Sequence, residues 1–270
     1  PADLGDLKMV EGIDDPAKSK TKVPDGSPQK RNASSSLGKK LVKQGYLKLE
    51  PGLRCNKEKK ISLIFPLLKK QFQGRWREYF YDCMPPNADN LHGVVETENI
   101  SEHEYDGHAM NIINTVGGNG IILDCGSGKR PTYYSNVVNF DPVAYETTDV
   151  VGVGENLPFE DDSFDAIFSL NVLEHVRDPF TCAKEIARVL KPNGKLYCVA
   201  PFMSPYHGYP DHYYNMTKSG LRNLFNDFLE IEKQDVMDSG HPIHSLTWIL
   251  RNWADGLSSH VRRDFLEKKT

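Results

Sequence analysis

The chain has 270 residues, a formal net charge of -4 at pH 7 and five cysteines. This length accommodates one full-sized domain with additional segments, and the acidic balance argues against a generic nucleic-acid binder. The sequence contains neither an apolar run of roughly 20 residues, as a membrane span requires, nor a signal-peptide pattern, so we expect a cytoplasmic protein with reduced cysteines.

Two segments are predicted before the main domain. Residues 1–40 are rich in Lys, Ser, Pro and Gly, which predicts a disordered tail. Residues 41–104 are predicted to be an N-terminal extension and linker. Within it, 61–66 indicates a strand, and the basic, aromatic stretch 69–81 indicates either an amphipathic helix packed on the domain or an anion-binding surface.

Residues 105–240 have the pattern of a doubly wound α/β domain. Helices are predicted over 108–116, from Asp178-Pro179 to the Pro-Asn-Gly turn, and over 217–225. Parallel strands are predicted at 121–123, 136–141, 149–159, 163–169, 195–200 and 228–236. Residues 241–270 form a predicted C-terminal helical segment, whose apolar stripe packs on the domain or docks on a partner or membrane surface.

The turn after the first of these parallel strands is the predicted centre of the site. Gly126 and Gly128 lack a Cβ, so the backbone can turn sharply there and approach a ligand, beside Asp124 at the end of the strand. Asp141 ends the next strand, where a carboxylate would meet the hydroxyls of a ribose. The intervening residues 129–135 are too few for a crossover helix and predict a loop.

Six motifs in order resemble class I S-adenosylmethionine-dependent methyltransferases of the broad type 11 group. They are Leu-Asp-x-Gly-x-Gly, Asn-Phe-Asp, Glu-Asn-Leu-Pro-Phe, Ser-Phe-Asp-Ala-Ile-Phe-Ser, Leu-Glu-His-Val and Glu-Ile-Ala-Arg-Val-Leu-Lys-Pro-Asn-Gly, within about 119–236. The resemblance implies a three-layer, Rossmann-like fold with a mostly parallel sheet and S-adenosylmethionine as cofactor. It implies cofactor-binding roles for Asp124, Gly126, Gly128, Asp141, Glu155, Asn156, Leu157 and Asn171.

The chain departs from this family in three places. Arg130 stands at the third glycine position of the turn. Val153 replaces the acid that usually contacts the adenine amine. The antiparallel strand that closes the sheet in the family has no counterpart in the final residues. These departures keep open the alternative of a catalytically inactive cofactor-binding scaffold.

Three histidines are the candidate catalytic residues. His175 lies in Leu-Glu-His-Val, where it either accepts a proton from the methyl acceptor or orients the following helix with Glu174. His207 and His212 lie in the aromatic loop 201–214 after the fifth strand, either as general bases at the acceptor site or as surface residues.

We predict no metal at this site. Related O-methyltransferases of ubiquinone synthesis hold a metal with the Glu-His pair and a carboxylate at the position of Asn171. Because Asn171 replaces that carboxylate here, only two strong ligands remain.

The predicted function is therefore O-methylation of a small-molecule, sugar or lipid-linked acceptor. Methylation of a protein or RNA is the alternative enzyme activity, supported only by the stretch 69–81. A nicotinamide-dependent dehydrogenase is disfavoured because Pro131 stands where the third glycine of its motif would be.

Overall fold

The computed structural model describes residues 51–72, 74–77, 79–88, 101–208 and 211–267. The predicted tail, 1–40, lies outside these described residues. Among the helices that the structure describes, none has both the length and the apolar character needed to cross a bilayer.

A seven-stranded sheet forms the centre of the protein. Its strands are β1 (Arg75–Trp76), β2 (Tyr81–Asp82), β3 (Ile122–Cys125), β4 (Val137–Asp141), β5 (Val150–Val151), β6 (Phe164–Leu170) and β7 (Leu190–Val199). The spatial order is β1-β2-β5-β4-β3-β6-β7; β1 and β2 are antiparallel and every other neighbouring pair is parallel.

The strand order reverses at β3. From β3 the chain adds β4 and β5 on one side, then crosses back and adds β6 and β7 on the other side. Such a reversal opens a crevice at the carboxyl ends of the central strands, which is where doubly wound proteins bind ligands.

Within the part of the chain that the structure describes, six α-helices accompany the sheet. They are α1 (Pro51–Ile64), α2 (Gly107–Val116), α3 (Pro179–Val189), α4 (Lys218–Phe225), α5 (Pro242–Asp255) and α6 (Ser259–Glu267). Asp106, Asp178 and Thr217 cap α2, α3 and α4, each side chain accepting a hydrogen bond from a backbone N–H three residues on. The three helices predicted within residues 105–240 are thus confirmed.

The core lies on both faces of the sheet. Ile122 packs with Ala109 of α2 on one face, whereas its neighbour Leu123 packs with Ile186 of α3 on the other. Because successive side chains of a strand point to opposite faces, this alternation produces three layers. The predicted doubly wound, three-layer fold is confirmed.

Several predicted elements are wrong. Residues 61–64 end α1 instead of forming a strand, and 69–81 contains β1 and turns instead of a helix. The third predicted strand, 149–159, shortens to β5, and 228–236 forms no strand. The apolar stripe of α5 is largely exposed; Ile243 and Trp253 are 54% and 52% exposed.

Candidate active site

The turn after β3 has the backbone geometry that its glycines predict. Gly126 and Gly128 have φ angles of 83° and 58°, in the left-handed region that favours glycine. A Cβ on Gly126 would lie 2.5 Å from a methyl carbon of Val172, and one on Gly128 would lie 2.6 Å from the carbonyl oxygen of Ser101. Close packing and backbone conformation therefore both require glycine here.

Asp141 connects the end of β4 to this turn. Its Oδ2 accepts a hydrogen bond of 2.7 Å from the Gly128 amide, and its Oδ1 accepts one of 2.9 Å from the Val143 amide. Burial raises the pKa of Asp141 to about 7, although these two hydrogen bonds favour the ionised form. Since each carboxylate oxygen can accept a second hydrogen bond, Asp141 can still receive hydroxyl donors from the cleft that it lines.

Asp124, at the end of β3, lies in an internal ion pair. Nε and Nη2 of Arg130 donate to its two oxygens at 2.8 and 3.2 Å, and the Tyr105 hydroxyl donates at 2.6 Å. The carboxylate is fully buried and does not line the cleft. Sequence reasoning noted the unusual position of Arg130 but did not identify Asp124 as its partner.

The predicted adenine-binding residues take different positions. Glu155 lines the cleft beside Gly154. Asn156 is exposed to solvent and does not line the cleft, and Leu157 is fully buried. The Leu157 amide donates to Oε2 of Glu185 on α3 at 3.0 Å. Asn171, just after β6, also lines the cleft. Its φ is 55°, and its backbone N–H donates a hydrogen bond to the Val199 carbonyl.

The three candidate catalytic histidines lie together. Ring centroids are 4.9 Å apart for His175 and His207, 4.4 Å for His207 and His212, and 5.8 Å for His175 and His212. The loop after β7 folds back onto the turn after β6, where the Tyr213 amide donates to the Glu174 carbonyl at 2.8 Å. This contact brings residues from two strand ends into one cluster.

Burial sets the electrostatics of this cluster. It lowers the pKa of His175 and of His212, which favours neutral rings, and raises the pKa of Glu174 to about 8. Glu174 is fully buried, and neither of its carboxyl oxygens has a hydrogen-bond partner among the described residues. The sequence predicts a helix-orienting role for Glu174 and counts it with His175 as a potential metal ligand, but it does not predict that the carboxyl is buried without a hydrogen-bond partner among the described residues.

Glu174, His175 and His207 all line the cleft that also contains Gly126, Gly128 and Asp141. The indole of Trp248, on α5, lies 5.3 Å from the His207 ring, measured between centroids. The cleft thus joins a glycine turn with a neighbouring acid to a cluster of imidazoles. A doubly wound sheet with these groups at its switch point defines the class of cofactor-binding α/β proteins.

Comparisons with known proteins show what the central part of the chain is similar to. Residues 124–198 match the family model described as a methyltransferase domain. The chain is 45% identical over 60 residues to demethylmenaquinone methyltransferase from Corynebacterium glutamicum, an alignment covering 22% of this chain and 26% of the relative. It is 30% identical over 112 residues to the uncharacterized methyltransferase YcgJ of Bacillus subtilis, covering 37% and 44%.

The crystal structure of YcgJ superposes on 59% of this chain and 88% of that chain, with 19% sequence identity and a TM-score of 0.36. The chain spans about a quarter of the first curated relatives that it matches. The domain match and the relatives support a methyltransferase domain of the class I, S-adenosylmethionine-dependent type at residues 124–198, and the sheet order agrees with its Rossmann-like fold.

The residues present fit the cofactor that this family implies. Two glycines with positive φ let a ligand approach the backbone of the turn closely. The buried Asp141 carboxylate can accept hydrogen bonds from a pair of hydroxyls. The adenine end offers Glu155 in place of the usual acid, because Val153 is apolar.

Proposed function

We propose that the protein binds S-adenosylmethionine at the carboxyl ends of β3 and β4 and transfers its methyl group to an acceptor held beside the histidine cluster. The hydrogen bond between the Gly128 amide and Asp141 carries this proposal. It fixes a glycine turn and a carboxylate from adjacent strands at the switch point of the sheet, where nucleotide-containing cofactors bind.

In this proposal the protein acts mainly by positioning. Gly126 and Gly128 border the methionine part, Asp141 receives the ribose hydroxyls, and Glu155 and Asn171 border the rest of the cofactor. When bound, the cofactor supplies a methyl group on a positively charged sulfur. Holding two reactants in near-attack geometry is worth about 7–11 kcal/mol, so the aligned cleft provides most of the acceleration.

Asp124, Asn156 and Leu157 act indirectly in this scheme. Asp124 and Arg130 rigidify the strand end next to the glycine turn, since each satisfies the other's buried charge. Leu157 packs in the core below the adenine end.

We propose a hydroxyl of a small-molecule, sugar or lipid-linked compound as the methyl acceptor. His175 and His212, whose pKa values are lowered by burial, and the neighbouring His207 supply imidazoles that accept or hold its proton. Phe202 and Met203, which are 58% and 46% exposed, lie along the same cleft and offer apolar contact to the rest of the acceptor.

An inactive cofactor-binding scaffold is the second candidate. The ion pair between Arg130 and Asp124 favours it, because the carboxylate nearest the predicted methionine end is occupied by the protein itself. Catalysis separates the two candidates, since a scaffold binds the cofactor without turning it over.

Calorimetry with S-adenosylhomocysteine and S-adenosylmethionine tests the cofactor site. We expect one molecule bound per chain and at least a tenfold loss of affinity for Asp141→Asn, because hydrogen bonds to a charged group contribute about 1.5–3 kcal/mol. Gly126→Ala should also weaken binding, since its Cβ meets Val172 at 2.5 Å.

Gly118→Ala is the matched control, because a Cβ there meets no atom within 4 Å. Absence of heat and of any thermal shift in the unsubstituted protein would refute cofactor binding. Binding without methyl transfer to sugar, lipid, small-molecule, protein or RNA pools would favour the scaffold.

A further inference from the structure

We propose that Glu174, His175 and His207 bind one divalent transition-metal ion of the zinc class. Each of these residues offers one ligand atom, and the three atoms lie within 4.8 Å of one another. Two imidazole nitrogens and one carboxylate oxygen form a set that zinc and its first-row neighbours accept, whereas magnesium and calcium prefer oxygen ligands throughout.

The backbone orients both imidazoles for this role. Nδ1 of His175 lies 2.5 Å from the Asp211 carbonyl oxygen, and Nδ1 of His207 lies 2.9 Å from the Pro205 carbonyl oxygen. A carbonyl can only accept, so Nδ1 of each neutral ring carries the proton and Nε2 carries the lone pair. Metal-binding histidines commonly donate their second ring nitrogen to a carbonyl in this way.

Glu174 provides the independent observation. Its side chain is fully buried, yet both carboxyl oxygens lack a hydrogen-bond partner among the described residues. Leaving a buried polar group without a hydrogen-bond partner destabilises the folded protein, and a bound ion would remove this cost.

The spacing of the donor atoms suits a tetrahedral ion. Oε1 of Glu174 lies 3.8 Å from Nε2 of His175. Two ligands about 2.1 Å from a tetrahedral ion lie roughly 3.4 Å apart, so a small contraction of the pair closes the site.

This inference replaces the prediction of no metal, which counted Glu174 and His175 alone because Asn171 is not a carboxylate. The loop after β7 brings His207 as the third ligand. All three residues line the cleft, so a remaining coordination position would face the acceptor space. With an ion bound, His175 and His207 would serve as its ligands, and His212 would remain to receive the proton of the acceptor. A role of the ion in polarising an acceptor hydroxyl rests on the proposed function, whereas metal binding does not.

Zinc titration of the full chain, freed of metal with a chelator, tests the inference. Calorimetry should give one Zn²⁺ per chain, and Zn²⁺ should raise the melting temperature. His207→Ala and Glu174→Gln should each weaken zinc binding by at least about 100-fold. This is the upper end of the loss that follows removal of a residue that only hydrogen-bonds to a metal ligand.

His212→Ala is the matched control. Its ring lies 4.4 Å from that of His207, but it is outside the ligand set, so zinc affinity should change by less than about tenfold. Glu174→Gln guards against misfolding as a cause, because it keeps the size of a buried side chain whose carboxyl oxygens have no hydrogen-bond partner among the described residues, so the melting temperature of the metal-free protein should be preserved.

The inference is overturned if the unsubstituted protein shows no saturable zinc binding, if either ligand variant binds like it, or if His212→Ala binds as weakly as they do. Binding of S-adenosylhomocysteine without zinc binding would overturn this inference alone. Zinc binding without cofactor binding would overturn the proposed function alone.

Discussion

Arg130 is the residue that makes the buried charge of Asp124 tolerable. It donates two hydrogen bonds to that carboxylate, and both side chains are at least 95% buried. Arg130→Met removes these donors, so that among the described residues the Tyr105 hydroxyl remains as the side-chain donor to Asp124. We expect the free energy of unfolding to fall by about 3–5 kcal/mol, as when one partner of a buried ion pair is lost, measured by urea denaturation.

Lys129→Ala is the matched control for this substitution. Lys129 is the neighbouring residue, and its ion pair with Glu102 is largely exposed, with a distance of 3.1 Å. Exposed pairs contribute at most about 1 kcal/mol. Equal losses for Arg130→Met and Lys129→Ala would contradict the importance of burial here.

Asp141 predicts a pH dependence of cofactor affinity. Since its pKa is raised to about 7, the carboxylate ionises as the pH rises from 6 to 8 and becomes a stronger acceptor for ribose hydroxyls. Affinity for S-adenosylhomocysteine should increase by roughly threefold to tenfold over this interval, measured by calorimetry. A flat profile in the unsubstituted protein, or an unchanged slope in Asp141→Asn, would count against this role.

Ionisation of Asp141 also affects the free energy of unfolding, with a sign opposite to its effect on cofactor affinity. Between about pH 4 and pH 7 the folded protein keeps a proton on Asp141 that the unfolded chain has lost. The contribution of this residue to the free energy of unfolding therefore decreases as the pH rises through that window. Cofactor affinity is therefore expected to increase over the pH range in which Asp141 contributes least to the free energy of unfolding.

Helix α1 is attached to the sheet through two buried lysines. Nζ of Lys57 donates to the Thr148 carbonyl at 2.6 Å, and Nζ of Lys60 donates to Oδ2 of Asp149 at 2.9 Å. Burial lowers the pKa of Lys57 to about 8 and also lowers that of Lys60, although Asp149 opposes both effects. The Tyr133 hydroxyl donates to the other oxygen of Asp149.

Asp149→Asn should therefore destabilise the protein by about 3–5 kcal/mol in urea denaturation at pH 7, because two buried ammonium groups lose their carboxylate. The control is Asp161→Asn, the same chemical change in a carboxylate that is 69% exposed and paired with Arg188. That variant should lose at most about 1 kcal/mol. If both variants unfold alike, α1 is not held by this charge cluster.

The same lysines explain why α1 could not be predicted from the sequence. The side chains that it buries against the sheet include Lys57, Lys60 and Ile64, spaced three and four residues apart. An amphipathic helix is recognised by apolar residues at this spacing, and charged residues in these positions erase the signal. The short apolar run 61–66 then indicated a strand.

At the scale of the whole molecule, the sequence predicts the central strands and fails at the edges. β3, β4 and β6 are mostly apolar runs, and buried parallel strands have this composition; β3 and β4 also end near acids or glycine. β1 and β2 have two residues each, so no periodicity marks them. The place of β2 depends on pairing with β5, which is distant in the sequence.

The site follows the same rule. The glycine turn and Asp141 could be predicted, because the turn directly follows β3 and Asp141 is the last residue of β4. The proximity of His207 to Glu174 could not be predicted. It depends on the path of the loop after β7, which a hydrogen bond from the Tyr213 backbone N–H holds in place. Side-chain clusters assembled from distant loops leave no local pattern in a sequence.

β7 is the outermost strand on its side of the described sheet, with a backbone ladder only to β6. Lys191 and Pro192 lie in its first half and Lys195 follows near its middle, where Glu232 from the irregular segment 228–236 pairs with Lys195. Lysines and proline on an open edge discourage another chain from adding a strand there. Protection of this open edge against pairing with another chain therefore depends on a few charged residues and one proline.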